Sequence, residues 1–147
     1  MNELMIFRGR REDIPAVSFN MRPADIEECR ASGSDPETAL LESFNASEAV
    51  WTIGTPDSEP VGMFGVTADG EIWMLACRAL SGFHIEFIRR CRGFISNLLC
   101  LHGKLHCWSY SKNTLHHRWL EWSGFTRTGR TKHRGGGVFE EFHLCAQ

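Results

Sequence analysis

Apolar residues along the 147-residue chain fall into segments of changing period, and each change marks a new element. Leu4 to Phe7 is a short apolar run that predicts a first strand, closed by Gly9. The stretch Arg11-Glu12-Asp13-Ile14-Pro15 opens a helix. There Asp13 can offer its carboxylate to the orphan amides, and Pro15 suits the first turn. A second helix is predicted from Pro23 to Arg30, ending before Gly33. A third starts at Asp35-Pro36-Glu37, with Asp35 as cap, and continues through Leu40, Leu41 and Phe44.

The period then shortens. Ala49 to Ile53 is β-branched and aromatic, and Pro56 to Pro60 is a turn cluster. Val61 to Val66 and Glu71 to Cys77 flank the hairpin signal Ala68-Asp69-Gly70. The continuous apolar run of Glu71 to Cys77 predicts a buried, central strand. Gly82 to Leu101 is the clearest helix, with Phe83, Phe87, Ile88, Cys91, Phe94, Ile95, Leu98 and Leu99 at helical spacing. Ser81 is its expected N-cap and Gly103 its expected C-cap. A strand from Lys104 to Tyr110 and a short helix from Thr114 to Trp122 follow, the helix closed by Gly124. The tail reads as Phe125 to Thr131, a turn at Gly135-Gly136-Gly137, and Val138 to Leu144. This order predicts one α/β (α+β) domain over residues 1–147, a mixed, mostly antiparallel sheet flanked by helices.

Composition narrows the class. With 42% apolar and 23% charged residues the chain is an ordinary globular protein, which excludes disorder, collagen and a disulfide miniprotein. The formal net charge of -2 gives no global field for nucleic acid or anionic membrane. The six cysteines, at 29, 77, 91, 100, 107 and 145, form no Cys-x-x-Cys pair and read as reduced thiols in a cytosolic setting. The Leu4–Phe7 run is too short for a signal-peptide core, and no stretch has the apolar length of a membrane span. His102 and His106 are four apart beside Cys100 and Cys107, but Gly103 breaks the helix face a metal would need, so none is expected. The basic run Arg127, Arg130, Lys132, His133, Arg134 reads as a solvated hairpin rather than a nucleic-acid site. Trp119 and Trp122 are expected to pack on the sheet.

Two sites carry chemistry. The loop after Cys77 enters the long helix at its N-terminus, where free amides and the helix dipole suit a phosphate. Asn113 then precedes the short helix, with Gly124-Phe125 eleven residues on. Together with the stretch from Arg8 or Arg10 to Ile14, this pattern resembles the GNAT superfamily of acyl-CoA-dependent N-acyltransferases across most of the chain. The resemblance implies a pantetheine arm inserted between two splayed parallel strands, with acetyl-CoA contacts at Leu75, Cys77, Arg78, Ser81, Gly82 and Asn113. It implies an acid/base pair drawn from Glu71, Tyr110 and His117, with an amine attacking the thioester.

The chain also departs from the family. The pyrophosphate loop of the family is Arg/Gln-x-x-Gly-x-Gly/Ala; here it reads Arg78-Ala79-Leu80-Ser81-Gly82-Phe83-His84. Its single glycine comes one residue late, and bulk replaces the second small residue where backbone must approach phosphate. The usual proton-donating tyrosine, seven residues after the Asn, falls on Leu120. A narrower likeness adds Trp73, the Arg78–Gly82 loop, Asn113-Thr114 with His117, and an Asp-x-x-Glu-x-x-Ala-x-Gly helix from Asp25 to Gly33. In these the chain resembles a small GNAT-like family of tailed phages that includes internal virion protein A of short-tailed phages. That likeness implies a virion or assembly component with weak or lost catalysis, partnered by other virion proteins or assembly factors, in the virion or the host cytoplasm. The alternative it leaves is an active acetyl-CoA-dependent N-acetyltransferase; a DNA-binding accessory protein is the weakest of the three.

Overall fold

The computed structural model describes residues 3–146. In chain order the elements are β1 (Met5–Arg8), α1 (Ile14–Phe19), α2 (Pro23–Ala31), α3 (Pro36–Ala46), β2 (Ala49–Gly54), β3 (Pro60–Val66), β4 (Ile72–Ala76), α4 (His84–His102), β5 (Lys104–Tyr110), α5 (Thr114–Trp122), β6 (Thr126–Arg134) and β7 (Gly137–Cys145). Single 3-10 turns at Arg11–Asp13 and Arg78–Phe83 lead into α1 and α4. The α/β layout with mostly antiparallel strands is therefore observed.

The strands form two sheets rather than one: β1-β2-β3-β4 and β5-β7-β6, each antiparallel throughout. β4 and β5 run parallel and touch at a single bridge, Glu71 to His106, where the His106 amide donates to the Gly70 carbonyl at 3.0 Å. Beyond that bridge their ladders stop, which leaves a splay between the sheets. β4 is buried but lies at the edge of its sheet, not at its centre. An unbroken apolar run reports covering on both faces and says nothing of whether both edges are paired.

The faces of the first sheet are covered by different helices. Trp51 stacks on its cross-strand partner Phe64 at 5.3 Å, and Phe94 of α4 meets both edge-on at 5.6 and 5.5 Å. Thr52 faces the other way by strand alternation and donates to Asp13 Oδ2 at 2.8 Å, beside α1. Asp13 therefore does not cap α1 with its side chain. Its carboxylate instead serves Thr52 and the Arg10 amide, a use that a buried carboxylate needs more than a cap does. Asp35 does cap α3, accepting from the Thr38 amide at 2.9 Å. Gly103 ends α4 in the left-handed region, at φ 74°. Ser81, expected to cap α4, sits inside the 3-10 turn and donates to the Arg78 carbonyl at 2.9 Å. The helix proper starts at His84 with no side-chain cap.

Candidate active site at the splay between the sheets

The two strand edges that face the splay carry amides that no strand satisfies. On β4 the Ala76 amide donates to Asp25 Oδ2 at 2.9 Å. On β5 the Tyr110 amide donates to Glu28 Oε1 at 2.8 Å. Both carboxylates come from α2, three residues apart and so on one face of the helix. Asp25 is fully buried and held by the Arg22 guanidinium at 3.0 and 3.2 Å.

Asn113 joins the two halves. Its Nδ2 donates to Asp25 Oδ1 at 3.1 Å and to Glu28 Oε1 at 3.4 Å. Its Oδ1 caps α5 by accepting from the His116 amide at 3.1 Å. A buried amide with donors and acceptor all engaged is a structural keystone, and none of its side-chain atoms is left for a ligand.

His116 lies beneath, with Nδ1 2.9 Å from Ser109 Oγ and 3.7 Å from Glu28 Oε1, and Nε2 4.0 Å from Cys107 Sγ. Burial works against its protonation, but Cys107 and the Glu28 carboxylate outweigh it, and its pKa is pushed up to about 10. Burial likewise pushes the Glu28 carboxyl up, but His116, the Tyr110 amide and Asn113 together hold it below its ordinary value. The pair is therefore ionic. Burial raises the Cys107 thiol, against the pull of His116. Thiol, imidazole and carboxylate lie in the order a nucleophilic triad needs, but the imidazole is already charged and has no free base to offer the thiol.

The candidate residues are spread around this cluster. Glu71 sits at the bridge and lines a cleft of about 730 Å³ between α3 and the β4–β5 junction, together with Glu28, Trp73, Cys107, Trp108 and His116. Tyr110 ends β5 with its ring buried against Phe139, centroids 5.6 Å apart. His117 has both nitrogens engaged, Nε2 3.0 Å from the Tyr110 carbonyl and Nδ1 3.2 Å from Arg127 Nη2. Burial and then the Arg127 charge lower its pKa, so it stays neutral. Leu75 is buried in β4 opposite Met63. The Cys77 amide continues the β3 ladder to the Val61 carbonyl at 2.8 Å. Arg78, Ser81 and Gly82 lie in the 3-10 turn, exposed. Trp119 is core, stacked on Phe87, whereas Trp122 is half exposed against His84 at 5.2 Å.

These positions test an acyl-CoA arm directly. Two edge amides near its path, those of Ala76 and Tyr110, are taken by Asp25 and Glu28. The α4 and α5 helices are joined by the His84–Trp122 and Phe87–Trp119 ring contacts. The turn before α4 is wound into a 3-10 helix rather than opened into a cradle, and Leu120, in place of the proton donor, is buried. At Ala76, at Tyr110 and in the Arg78–Phe83 turn, the residues as placed do not offer the group a partner.

No protein-family model and no curated protein matches the chain. Solved structures do. AAC(6')-Ib in complex with ribostamycin and coenzyme A is 18% identical at a TM-score of 0.68, covering 99% of this chain and 94% of that one. Spermidine N-acetyltransferase from Vibrio cholerae, in complex with CoA and spermine, is 13% identical at 0.68, covering 97% and 95%. A GNAT-family acetyltransferase from Bacillus anthracis is 12% identical at 0.68, again covering 97% and 95%. The fold is that of the GNAT acetyltransferases.

His116 was weighed with His117 as a possible base on the short helix, but Asp25 and Glu28, which with it dominate the splay of this GNAT fold, were not candidates on sequence grounds. Their signal was the Asp-x-x-Glu spacing of α2, visible as a motif but with nothing in the sequence to say that it faces two unpaired strand edges.

Proposed function

We propose that the chain is a GNAT-fold protein that works as a virion or assembly component, by contact with other proteins rather than by acyl transfer. The observation that carries the non-catalytic half is the occupation of the Ala76 and Tyr110 edge amides by the protein's own α2 carboxylates. The phage setting, and virion proteins as partners, rest on the sequence likeness in Trp73, the Arg78–Gly82 loop, Asn113-Thr114 and the Asp25–Gly33 helix.

A second reading, an acetyl-CoA-dependent N-acetyltransferase, is favoured by the solved neighbours, which are acetyltransferases, two of them in complex with CoA. It is also favoured by the cleft beside Glu71, whose carboxylates suit an amine. Calorimetric titration with acetyl-CoA separates the two, with Gly82→Trp as control. The first reading expects no heat of binding at millimolar cofactor. Micromolar binding that Gly82→Trp abolishes overturns it and establishes the second.

A further inference from the structure

The segment Asn20–Glu28 does more at the splay than supply two carboxylates. Just where β4 leaves β5, the chain between α1 and α2 pairs with the free edge of β4. Met21 and Cys77 form an antiparallel bridge, the Arg22 amide donates to the Ala76 carbonyl at 2.8 Å, and the Arg78 amide donates to the Asn20 carbonyl at 3.2 Å. Arg22 is extended, at φ -61° and ψ 144°, before Pro23 starts the helix. One turn later Asp25 takes the Ala76 amide, and at the far side Glu28 takes the Tyr110 amide.

We propose that Asn20–Glu28 is an internal ligand of the splay: a short extended stretch and two carboxylates that occupy the β4 and β5 edges and clasp the two sheets. The physical demand is plain. Edge amides without partners are costly once buried, and a splayed sheet creates them by construction. An extended guest satisfies such an edge by strand addition. Here the guest is covalently part of the host, so its effective concentration is set by the chain and no free ligand need be ordered. Asn113 ties the clasp to α5, and the Cys29 thiol against Met21 sulfur at 3.9 Å backs it from within.

The clasp shares the splay with the function proposed above, but the two fail separately, since its test uses the protein without acyl-CoA. Amide exchange is measured residue by residue. Although neither pairs with a strand across the splay, Ala76 and Tyr110 are expected to exchange at least about 1000-fold more slowly than unstructured amides. Glu28→Gln is expected to speed Tyr110 at least about tenfold while leaving Cys77, bonded to β3, unchanged. Glu28→Ala is expected to lower the Tm by about 10 °C, with formate, a free carboxylate, restoring about half at equal ionic strength. Fast exchange at Ala76 and Tyr110 in the unaltered protein overturns the proposal. So does a Glu28→Ala variant with an unchanged Tm, or one that formate stabilises no more than it does the unaltered protein.

Discussion

The buried His116 and the half-buried Glu28 form an ion pair, 3.7 Å between Nδ1 and Oε1, at the point where α2, β5 and α5 meet. Its pH dependence follows from the raised histidine. The folded protein holds that proton up to about 10, whereas the unfolded chain releases it near 6.5. The stabilising contribution is therefore complete below 6.5 and is lost as the pH rises towards about 10. Glu28 is depressed from 4.5, so its contribution is present above that value and fades as the pH falls through the folded pKa. His117 is depressed from 6.5, so it too favours the folded state above that value and loses its contribution as the pH falls. Stability is thus expected to peak between pH 4.5 and 6.5, towards the upper end of that range. Between pH 6.5 and about 8.5, below the range where the buried thiols titrate, stability is expected to fall. Urea midpoints across that window test it; His116→Asn should flatten the slope, and a flat profile in the unaltered protein would refute the pair.

Asn113 and Asp35 are both helix caps, but only one is buried, and the difference predicts their cost. Asp35 is exposed and serves the Thr38 amide and hydroxyl, so Asp35→Ala is expected to lower stability only slightly. Asn113→Ala removes the cap of α5 and also leaves Asp25 and Glu28 short of a buried donor. The expected loss is about 3 kcal/mol, by adding a cap to unmet buried acceptors. Denaturant unfolding of both variants checks the ranking, and equal costs would mean that Asn113 is only a cap.

The sequence showed the elements well and the site poorly, and particular residues show why. Helix α4, strand β5 and helix α5 were legible because Phe87, Cys91, Ile95 and Leu98 repeat on one face and Gly103 and Gly124 punctuate. Asp35 was legible as a cap because Pro36 follows it. The splay was not, because whether β4 and β5 stay paired past Glu71 depends on what inserts between them, which is a long-range fact. Asp25 and Glu28 entered only as part of the Asp-x-x-Glu-x-x-Ala-x-Gly spacing from Asp25 to Gly33. Only their partners, more than fifty residues later at Ala76 and about eighty later at Tyr110 and Asn113, make them the centre of the site.

The cysteines divide by depth. Burial pushes the thiols of Cys29, Cys77 and Cys91 up to about 12, and raises that of Cys107 as well. Cys100 and Cys145 are exposed. A thiolate is the reactive form, so buried thiols of raised pKa are slow. Titration of the native protein with an aromatic disulfide at about pH 8 is expected to show two fast thiols, the other four reacting only on unfolding. A third fast thiol abolished by Cys107→Ser would mean that the cleft beside His116 activates it after all.

The turn between β6 and β7 packs on the end of α2. Gly135 packs so tightly on the backbone of Ser32 and Gly33 that a Cβ there would run into both. Gly136 beside it adopts φ 99° but has open space around its Cβ position. Gly136→Ala is therefore expected to cost about 1 kcal/mol, from backbone strain alone. Gly135→Ala has to push the hairpin off the end of α2 and is expected to cost about 2–4 kcal/mol, in the range of an overpacked core. Because α2 carries Asp25 and Glu28, the same variant should also speed amide exchange at Ala76 and Tyr110, which Gly136→Ala should not. If Gly135→Ala destabilises the protein yet leaves those two amides protected, the hairpin and the clasp are independent, and α2 is seated by α3, β4 and β5 without the turn.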